Sequence, residues 1–417
     1  MFSDRTNWKL ARNRFTVAVE EARASGTKVL DLTVSNPTRA GLHFDEQAIL
    51  VALASPRALD YDPQSKGLRE ARQAVAGYYR EEHRIDRLDQ EQIVLTTSTS
   101  EGYSFVFRLL CNAGDELLVP KPSYPLFEFL ADLQDVRLVP YPLIYDHGWQ
   151  MDFPSLEKAV TARTRGVVVV HPNNPTGSYV HRREVAMLNS FCRAHDLAVI
   201  ADEVFLDYRL GDSRHGFGRN PRSLHRLGRD DKHDKDDSAG REHASFVGNQ
   251  EVLTFTLSGL SKIAALPQMK MAWVVTSGPR ELVAAAMGRL EVIADTYLSM
   301  NAPIQWAVPS LLEQRKSVQR QLLERVRRNL AELNRQLAGQ KACERLGVEG
   351  GWYAVLRVPV TRADEDLAIE LVREKSVLVH PGHFYDFPRD GYLVLSLITP
   401  DNDFGEGISA VLDNLNS

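Results

Sequence analysis

Between about Asp45 and Val275, short runs of β-branched and apolar residues alternate with amphipathic helical patterns. Strands and helices that alternate in this way form a parallel sheet with helices packed on both of its faces. The sequence therefore predicts an α/β fold with a mostly parallel sheet, built by a large domain over residues 46–300. Residues 1–45 and 301–417 are predicted to form a smaller α+β domain, to which both termini contribute.

A lysine follows one of the predicted strands directly. The apolar run 252–258 leads into Gly-Leu-Ser-Lys, so Lys262 lies where open α/β sheets bind their ligands, beyond the carboxyl ends of the strands. A lysine in that position can form a Schiff base with an aldehyde cofactor, of which pyridoxal 5'-phosphate (PLP) is the usual one. Because most lysines near strand ends are solvated surface residues, this position alone is only a weak indication.

A second predicted strand, Ile93–Thr97, ends in hydroxyl side chains. Ser98, Thr99 and Ser100 follow it and lead into an amphipathic run that predicts a helix. Hydroxyls and backbone N–H groups at such a turn can bind a phosphate, helped by the helix dipole. A simple helix cap, with Ser100 as the N-cap residue, explains the same residues and is the better account of this segment alone.

Two further predicted strands end in amide and carboxylate side chains. Gly166–Val170 is followed by two adjacent asparagines held between two prolines, and Leu197–Ala201 is followed by Asp202. An amide can donate to the ring oxygen of PLP, and a carboxylate can stabilise its protonated pyridine nitrogen. An ordinary turn and an ordinary helix cap are the alternatives. Together, the four strand ends provide every group that a bound PLP requires, and we interpret them as one cofactor site.

With these motifs the chain resembles the class I/II aminotransferases, which belong to the fold type I PLP-dependent enzymes. The resemblance extends over nearly the whole chain, from about Asp31 to Pro400. Asn-Asn-Pro-Thr-Gly at 173–177 and Ser-Gly-Leu-Ser-Lys at 258–262 match the family closely, and Tyr61–Glu70 resembles its tyrosine-containing segment. The resemblance implies a PLP-dependent transaminase that moves an amino group between an amino acid and a 2-oxo acid.

The resemblance also implies a role for each residue of the site. Lys262 would hold PLP and, once released from it, would move the proton at the substrate α-carbon. Tyr124 would stack on the cofactor ring, Asn174 would donate to the ring oxygen, and Asp202 would bind the pyridine nitrogen. Tyr61 would reach the phosphate of a neighbouring subunit, which makes a homodimer the active unit. The residues implied to bind the phosphate are Ser98, Thr99, Ser100, Ser261 and Lys270, together with that Tyr61.

The chain departs from the family pattern at three positions of the cofactor site. Phe205 stands where the family usually has a tyrosine that donates to the ring oxygen, which leaves an asparagine as the main donor there. Gly259 stands where a phosphate-binding serine is usual, and Ser258 or Ser261 is expected to substitute for it. Lys270 stands where an arginine usually clamps the phosphate, so the charge is kept but the bidentate fork is lost.

A fourth departure concerns the substrate. Val394 stands where the family's arginine for the substrate α-carboxylate is expected, and a valine cannot make the two parallel hydrogen bonds that an arginine makes. Either the carboxylate is held elsewhere, or the true donor lacks one at that position, or the aligned register of this strand is in error. The candidate replacements are Arg39, Arg357 and Arg389, with help from the backbone around Asn36.

Composition narrows the class of protein. The chain has 417 residues, of which 43% are hydrophobic, and a net charge of −5, so nothing in its charge favours nucleic acid or anionic membranes as partners. Cys111, Cys192 and Cys343 are scattered and lack metal-ligand spacing, which predicts no metal site and suits a reduced compartment. No run approaches the ~20 apolar residues of a membrane span, and the N-terminus lacks a signal-peptide pattern. We therefore expect a cytoplasmic protein, and the resemblance implies small amino and 2-oxo acids as its partners.

The segment Gly211–Gln250 differs in composition from the rest of the chain. It is rich in Arg, Asp, His, Gly and Ser, and it connects two predicted strands for which a short connection would suffice. Low hydrophobicity and mixed charge predict a solvated, mobile insertion within the large domain.

Two other functions compete with transamination. Another PLP reaction on the same fold, catalysed by a C–S β-lyase, a decarboxylase or a racemase, is the nearest, because the outcome depends on how the substrate lies over the ring. A non-catalytic effector-binding domain is disfavoured, since such proteins carry a DNA-binding module and only about thirty residues precede the first predicted strand.

Overall fold

The secondary structure comes from a computed structural model, which describes residues 1–211 and 244–416. The strands are β1 (Leu30–Asp31), β2 (Ile93–Thr96), β3 (Glu116–Lys121), β4 (Arg137–Tyr145), β5 (Trp149–Met151), β6 (Thr164–Val170), β7 (Ala198–Asp202), β8 (Thr254–Gly259), β9 (Ala272–Ser277), β10 (Glu344–Arg345), β11 (Tyr353–Arg357), β12 (Val377–Leu378), β13 (His380–Pro381) and β14 (Tyr392–Ser396). The helices are α1 (Arg14–Ala24), α2 (Glu46–Leu53), α3 (Arg69–His83), α4 (Thr99–Leu110), α5 (Leu126–Asp132), α6 (Phe153–Ala159), α7 (Arg182–His195), α8 (Leu260–Ile263), α9 (Arg280–Tyr297), α10 (Ala302–Leu337), α11 (Asp364–Lys375) and α12 (Asp401–Leu415).

The large sheet has the strand order β2-β9-β8-β7-β6-β3-β4-β5 in the described part of the chain. The five strands from β8 to β4 run parallel to one another, while β9 and β5 are antiparallel to their neighbours. The α/β class with a mostly parallel sheet is thus confirmed. The central strands are buried on both faces, as the nearly continuous apolar run of β6 requires.

Strand register brings the predicted strand ends to one edge of this sheet. Ala272 of β9 pairs with Thr96 of β2 on one side and with Gly259 of β8 on the other. Asp202, the last residue of β7, pairs with Leu257 of β8. The residues that follow β2, β7 and β8 therefore meet at the same carboxyl edge, where such sheets bind ligands.

The smaller sheet is antiparallel and has the order β10-β11-β14-β13. The N-terminal strand β1 pairs with β12, and Ser396 at the end of β14 donates its N–H to the carbonyl of Leu32. Helices α11 and α12 contribute Leu371 and Phe404 to the same apolar cluster. Strands β1 and β12 thus form a two-stranded sheet of their own beside the smaller sheet, and both ends of the chain contribute to one core.

Helix α10 joins the two sheets. Residues in its first half, such as Leu311, are buried with Trp273 of the large sheet, whereas Leu322 and Leu333 are buried with the smaller sheet. The limit between the domains at residues 300 and 301 stays a prediction. Within the residues described, no helix is both long and apolar enough to cross a membrane.

Most of the predicted insertion Gly211–Gln250 lies outside the described residues. Its C-terminal end is described, and there Ser245, Phe246 and Asn249 are buried. The Ser245 hydroxyl and the Phe246 N–H each donate to the carboxylate of Glu203 at 2.6 Å. The predicted solvated insertion therefore does not extend to Gln250, because residues near its C-terminal end are buried and donate hydrogen bonds to a buried carboxylate.

Candidate active site

The candidate site is built around Lys262, which lies on the four-residue helix α8 directly after β8. Its Nζ atom is 4.8 Å from the ring centre of Trp352 and 5.4 Å from that of Phe205. The Tyr208 hydroxyl donates to the Lys262 carbonyl at 2.6 Å and fixes the backbone of the helix. Burial lowers the pKa of Lys262 to about 8, against the opposing effect of Asp202. About a tenth of this amine is therefore unprotonated at pH 7, far more than for an ordinary lysine, and this fraction can act as a nucleophile or a base.

Asp202 lies at the end of the neighbouring strand and is held by two hydrogen bonds. The Tyr103 hydroxyl donates to Oδ2 at 2.9 Å, and the Val204 N–H donates to Oδ1 at 3.1 Å. Burial raises the pKa of Asp202, while these two donors and Lys262 oppose that effect. The arrangement supplies a partly buried carboxylate whose charge is supported from two sides, as a partner for a cationic ring nitrogen requires.

Tyr103 is a site residue that the sequence analysis missed. It lies one helical turn after Thr99 on α4, so both side chains occur on one side of that helix. The spacing was visible in the sequence, but a buried tyrosine in an amphipathic helix is usually ordinary core. Only the contact with Asp202 distinguishes it.

The two adjacent asparagines after β6 have different surroundings. Asn173 donates to the Pro122 carbonyl at 3.1 Å and to the Thr176 hydroxyl at 2.9 Å, and it accepts from the Ser123 hydroxyl. Its hydrogen bonds hold the turn together. Asn174 is also buried, but its Oδ1 has no hydrogen-bond partner among the described residues. Asn174 is therefore the amide available to a ligand.

The N-terminus of α4 forms the predicted phosphate cradle. Ser98 is the N-cap residue, and its hydroxyl accepts from the Glu101 N–H at 3.2 Å. The expected alternative with Ser100 as the N-cap is wrong, because the helix begins two residues earlier. Thr99 and Ser100 are instead the first helical residues, whose N–H groups have no acceptor within the helix. These groups, together with the helix dipole, suit a phosphate.

Three other predicted phosphate ligands and the stacking tyrosine lie at or near the surface. Ser261 is partly buried beside Lys262, and Lys270 is exposed after the short turn that follows α8. The Tyr124 side chain is exposed on the loop before α5, and Tyr61 is 85% exposed. Tyr61 lines a cleft of about 370 Å³ whose lining residues do not include Lys262.

Packing explains the glycine that replaces the usual serine. An added Cβ at Gly259 would lie 2.8 Å from the Cβ of Ala272 and 2.8 Å from the carbonyl oxygen of Met271. Both contacts are too short for a side chain. The close approach of β8 and β9 therefore requires glycine at this position.

Two of the candidate carboxylate arginines lie away from Lys262. Arg357 forms an ion pair with Glu344, and Arg357 and Arg389 line a second cleft at the far end of β11. Trp352, which contacts Lys262, is five residues earlier along the chain, which corresponds to roughly 17 Å of extended strand. The structure does not bring Arg357 and Arg389 together with the amine.

The remaining candidates, Arg39 and Asn36, lie on a short exposed turn after β1. The Asn36 side chain caps this turn by accepting from the N–H and the hydroxyl of Thr38. Val394 is buried in the middle of β14, between Val355 of β11 and His380 of β13. Its side chain is apolar at the position where the family's carboxylate-binding arginine is expected.

The groups at the large-sheet edge fit PLP. The buried side-chain amide of Asn174, a capped helix N-terminus, a supported carboxylate and a lysine of lowered pKa occur within one set of strand ends. The family model for aminotransferase class I and II matches residues 27–402. This chain belongs to the class I and II aminotransferases.

Curated relatives of this aminotransferase span most of its length. It is 26% identical over 388 residues to the glutamate-pyruvate aminotransferase AlaA of Escherichia coli, which covers 90% of this chain and 88% of that protein. It is 28% identical over 395 residues to the alanine aminotransferase of Mycobacterium tuberculosis, which covers 92% of this chain and 85% of that protein. Both relatives transfer amino groups, which favours this reaction over the lyase, decarboxylase and racemase alternatives.

Solved structures show the same fold. An alanine aminotransferase from Pyrococcus furiosus superposes with a TM-score of 0.83 at 20% identity, with full coverage of both chains. An aminotransferase from Escherichia coli gives a TM-score of 0.82 at 24% identity and covers 100% of this chain and 98% of its own. The family match and the curated relatives, rather than these structures, make the chain a PLP-dependent transaminase that moves an amino group between an amino acid and a 2-oxo acid.

Proposed function

We propose that this aminotransferase uses L-alanine and L-glutamate as amino donors and the corresponding 2-oxo acids as acceptors. The substrates in the names of its relatives support this choice. The observation that carries the assignment of the site is the meeting of Lys262 and Asp202 at one edge of the large sheet. A lysine of lowered pKa next to a partly buried carboxylate suits proton transfer at a substrate carbon.

Lys262 has two tasks in this proposal. It holds the cofactor through its amine, and after it is released it takes the proton from the substrate α-carbon. When bound, PLP supplies an electron-accepting ring that stabilises negative charge at that carbon. Trp352 and Phe205 exclude water from the amine, which keeps its pKa low enough for the proton transfer.

Asp202 and Asn174 orient the cofactor ring. Asp202, supported by the hydroxyl of Tyr103, pairs with the ring nitrogen and keeps it protonated. Asn174 donates to the ring oxygen through its Nδ2–H group, because the turn is held by the amide of Asn173 instead. Tyr124 covers the ring, a contact on the order of 1 kcal/mol beyond area burial.

The phosphate is bound at the N-terminus of α4 in this proposal. Ser98, Thr99 and Ser100 provide hydroxyl and N–H donors there, and Ser261 adds another hydroxyl. Lys270 supplies a positive charge without the fork of an arginine. Asn36 and Arg39 remain candidates for one side of the substrate carboxylate.

We also propose a homodimer in which Tyr61 reaches the phosphate of the partner subunit. The support is the 85% exposure of this tyrosine on a cleft that Met300 and Trp306 also line. Chains carrying Tyr61→Ala and Lys262→Ala are to be mixed after separate purification. A shared site predicts recovery of up to about one quarter of wild-type activity, since half of the dimers are hybrids with one intact site. No recovery, or an active monomer by light scattering, would rule out the shared site.

We propose the cytoplasm as the location of the enzyme. The three cysteines of the chain are free, which suits a reducing compartment. Fractionation of cells that produce the protein without a tag tests this, and activity in a secreted or membrane fraction would contradict it.

The reaction itself is tested with amino-donor and 2-oxo-acid pairs on the PLP-loaded protein. L-alanine with 2-oxoglutarate and L-glutamate with pyruvate are expected to give acceptor-dependent turnover. Formation of pyruvate and ammonia from cystathionine without an acceptor would instead indicate a β-lyase. Failure of every donor pair to react would contradict the proposed substrates.

A further inference from the structure

The register of the smaller sheet places a histidine beside the position where the substrate arginine is missing. His380 of β13 lies directly opposite Val394 of β14, and Val355 lies opposite Val394 on the other side. Residues directly opposite in an antiparallel pair point to the same face, with Cβ atoms about 5 Å apart. Of these three neighbours, His380 alone has a side chain that can donate a hydrogen bond.

His380 is connected to the loop that carries the stacking tyrosine. Its Nδ1 lies 3.0 Å from the hydroxyl of Tyr385. The Tyr385 carbonyl accepts from the N–H of Ser123 at 2.9 Å, which docks this part of the smaller sheet beside Tyr124. The histidine is therefore held against the side of the site that covers the cofactor ring.

A second line of contacts leads from the same tyrosine to the catalytic lysine. Burial raises the pKa of Tyr385, and the phenols of Tyr353 and Tyr124 add to this effect. Tyr353 lies two residues before Val355 on β11, so both side chains point to the same face of the smaller sheet. The ring of Tyr353 packs edge-on against Phe205 at 6.2 Å, and Lys262 Nζ lies 5.4 Å from the ring centre of Phe205. The face that bears His380 is thus part of the same site.

The imidazole is neutral before a substrate binds. Burial lowers the pKa of His380 to about 4, and the carboxylate of Asp31 partly opposes this effect. Asp31 is itself engaged by the N–H and hydroxyl of Thr33 and lies 3.5 Å from Arg23. A neutral histidine keeps one ring N–H as a donor, and an approaching carboxylate favours its protonated form.

We propose that His380, positioned by Tyr385, binds the α-carboxylate of the amino-acid substrate in place of an arginine at position 394. The carboxylate-binding residue would then lie on β13, directly opposite the β14 position where the family has its arginine. This inference rests on the proposed function, because it assumes an α-amino acid as substrate. It assigns the enzyme donors that carry a free α-carboxylate.

L-alanine carries an α-carboxylate and ethylamine does not. Comparing how the two bind to the PLP-loaded full chain therefore isolates the contribution of the carboxylate. Both are titrated against the absorbance of the bound cofactor. His380→Ala is expected to weaken L-alanine binding about tenfold or more, which matches the loss of one hydrogen bond to a charged group, and to leave ethylamine unchanged. His380→Asn, which keeps a donor, is expected to lose less. The exposed His383 of the same loop provides the matched control, His383→Ala.

A swap variant gives the stronger test. His380→Val combined with Val394→Arg moves a carboxylate partner back across the pair and is expected to recover at least wild-type affinity for L-alanine. Equal effects of His380→Ala on L-alanine and ethylamine, or no effect on either, would overturn the anchor. So would a wild-type enzyme that binds L-alanine no more tightly than ethylamine. Absence of turnover with every donor pair would instead overturn the proposed function.

Discussion

The two sheets contribute opposite kinds of surface to the site. The carboxyl edge of the large sheet carries a lysine, a partly buried carboxylate, an amide and a helix N-terminus. The facing strands of the smaller sheet contribute aromatic rings, phenols, Val394 and a neutral histidine. The first surface matches a charged cofactor group by group. The second contains few charges, so substrate binding depends on neutral donors and on shape.

This contrast shows how differently the two halves are encoded. Each cofactor group follows a strand directly in the sequence, so its place in the fold is set by the strand before it. The substrate face depends instead on which residues of β11, β13 and β14 lie opposite one another. The loss of a binding residue on one strand can be compensated by a residue opposite it on the neighbouring strand, as we propose for Val394 and His380.

The largest expected effect is on the cofactor side. Lys262→Ala removes both the attachment point and the base, so turnover should fall by roughly 10²–10⁴-fold or more. Lys158→Ala, at an exposed position on α6, is the control and should leave turnover unchanged. Steady-state assays with the reactive donor pair measure both. A Lys262→Ala enzyme with undiminished turnover would remove the basis for the whole site.

The support of Asp202 by Tyr103 should give a graded series. Asp202→Asn removes the charge next to the ring nitrogen and is expected to lower kcat by about 100-fold or more. Tyr103→Phe removes one hydrogen bond and should cost about tenfold. Asp196→Asn, at an exposed helix end, is the control. If Tyr103→Phe changes stability but neither kcat nor the pH dependence of the cofactor absorbance, Tyr103 is only structural.

The lowered pKa of Lys262 predicts when the protein without PLP takes up its cofactor. Only the unprotonated amine attacks an aldehyde, so a pKa of about 8 instead of 10.5 makes uptake half-maximal near pH 8. Below that pH the rate should fall as the amine is protonated. Stopped-flow mixing with PLP over pH 6–10 measures the profile. A rate that continues to climb to pH 10 would show that burial does not depress this pKa.

The smallest expected effect concerns Gly259. Gly259→Ser introduces the usual phosphate-binding hydroxyl, but its Cβ would contact Ala272, so stability should fall by about 1–3 kcal/mol. Ala272→Gly in the same chain should recover only part of this loss, because the contact with the carbonyl oxygen of Met271 remains. Thermal unfolding measures stability, and fluorescence titration measures PLP affinity. A single Gly259→Ser variant that is as stable as wild type would show that the two strands can separate without cost.

The sequence was sufficient for the α/β class, the main strands and the residues at their ends. Lys262, Asp202 and Ser98 lie where the alternation of strands and helices placed them, because ligands meet the ends of parallel strands. Tyr103 could not be identified, since its contact with Asp202 joins residues 99 positions apart. The burial of Ser245 was missed for the same reason, because its partner Glu203 lies 42 positions earlier. Local sequence patterns do not show which distant segments come into contact, so these two hydrogen bonds could not be predicted.

The attachment of PLP to Lys262 is the central claim and can be measured directly. The loaded protein is reduced with borohydride, which makes the bond between lysine and cofactor permanent, and is then digested and mapped by mass spectrometry. The site described here predicts one modified residue per chain, Lys262, in the peptide that joins β8 to β9. Modification of Lys270 or of another lysine, or no modified peptide at all, would contradict it.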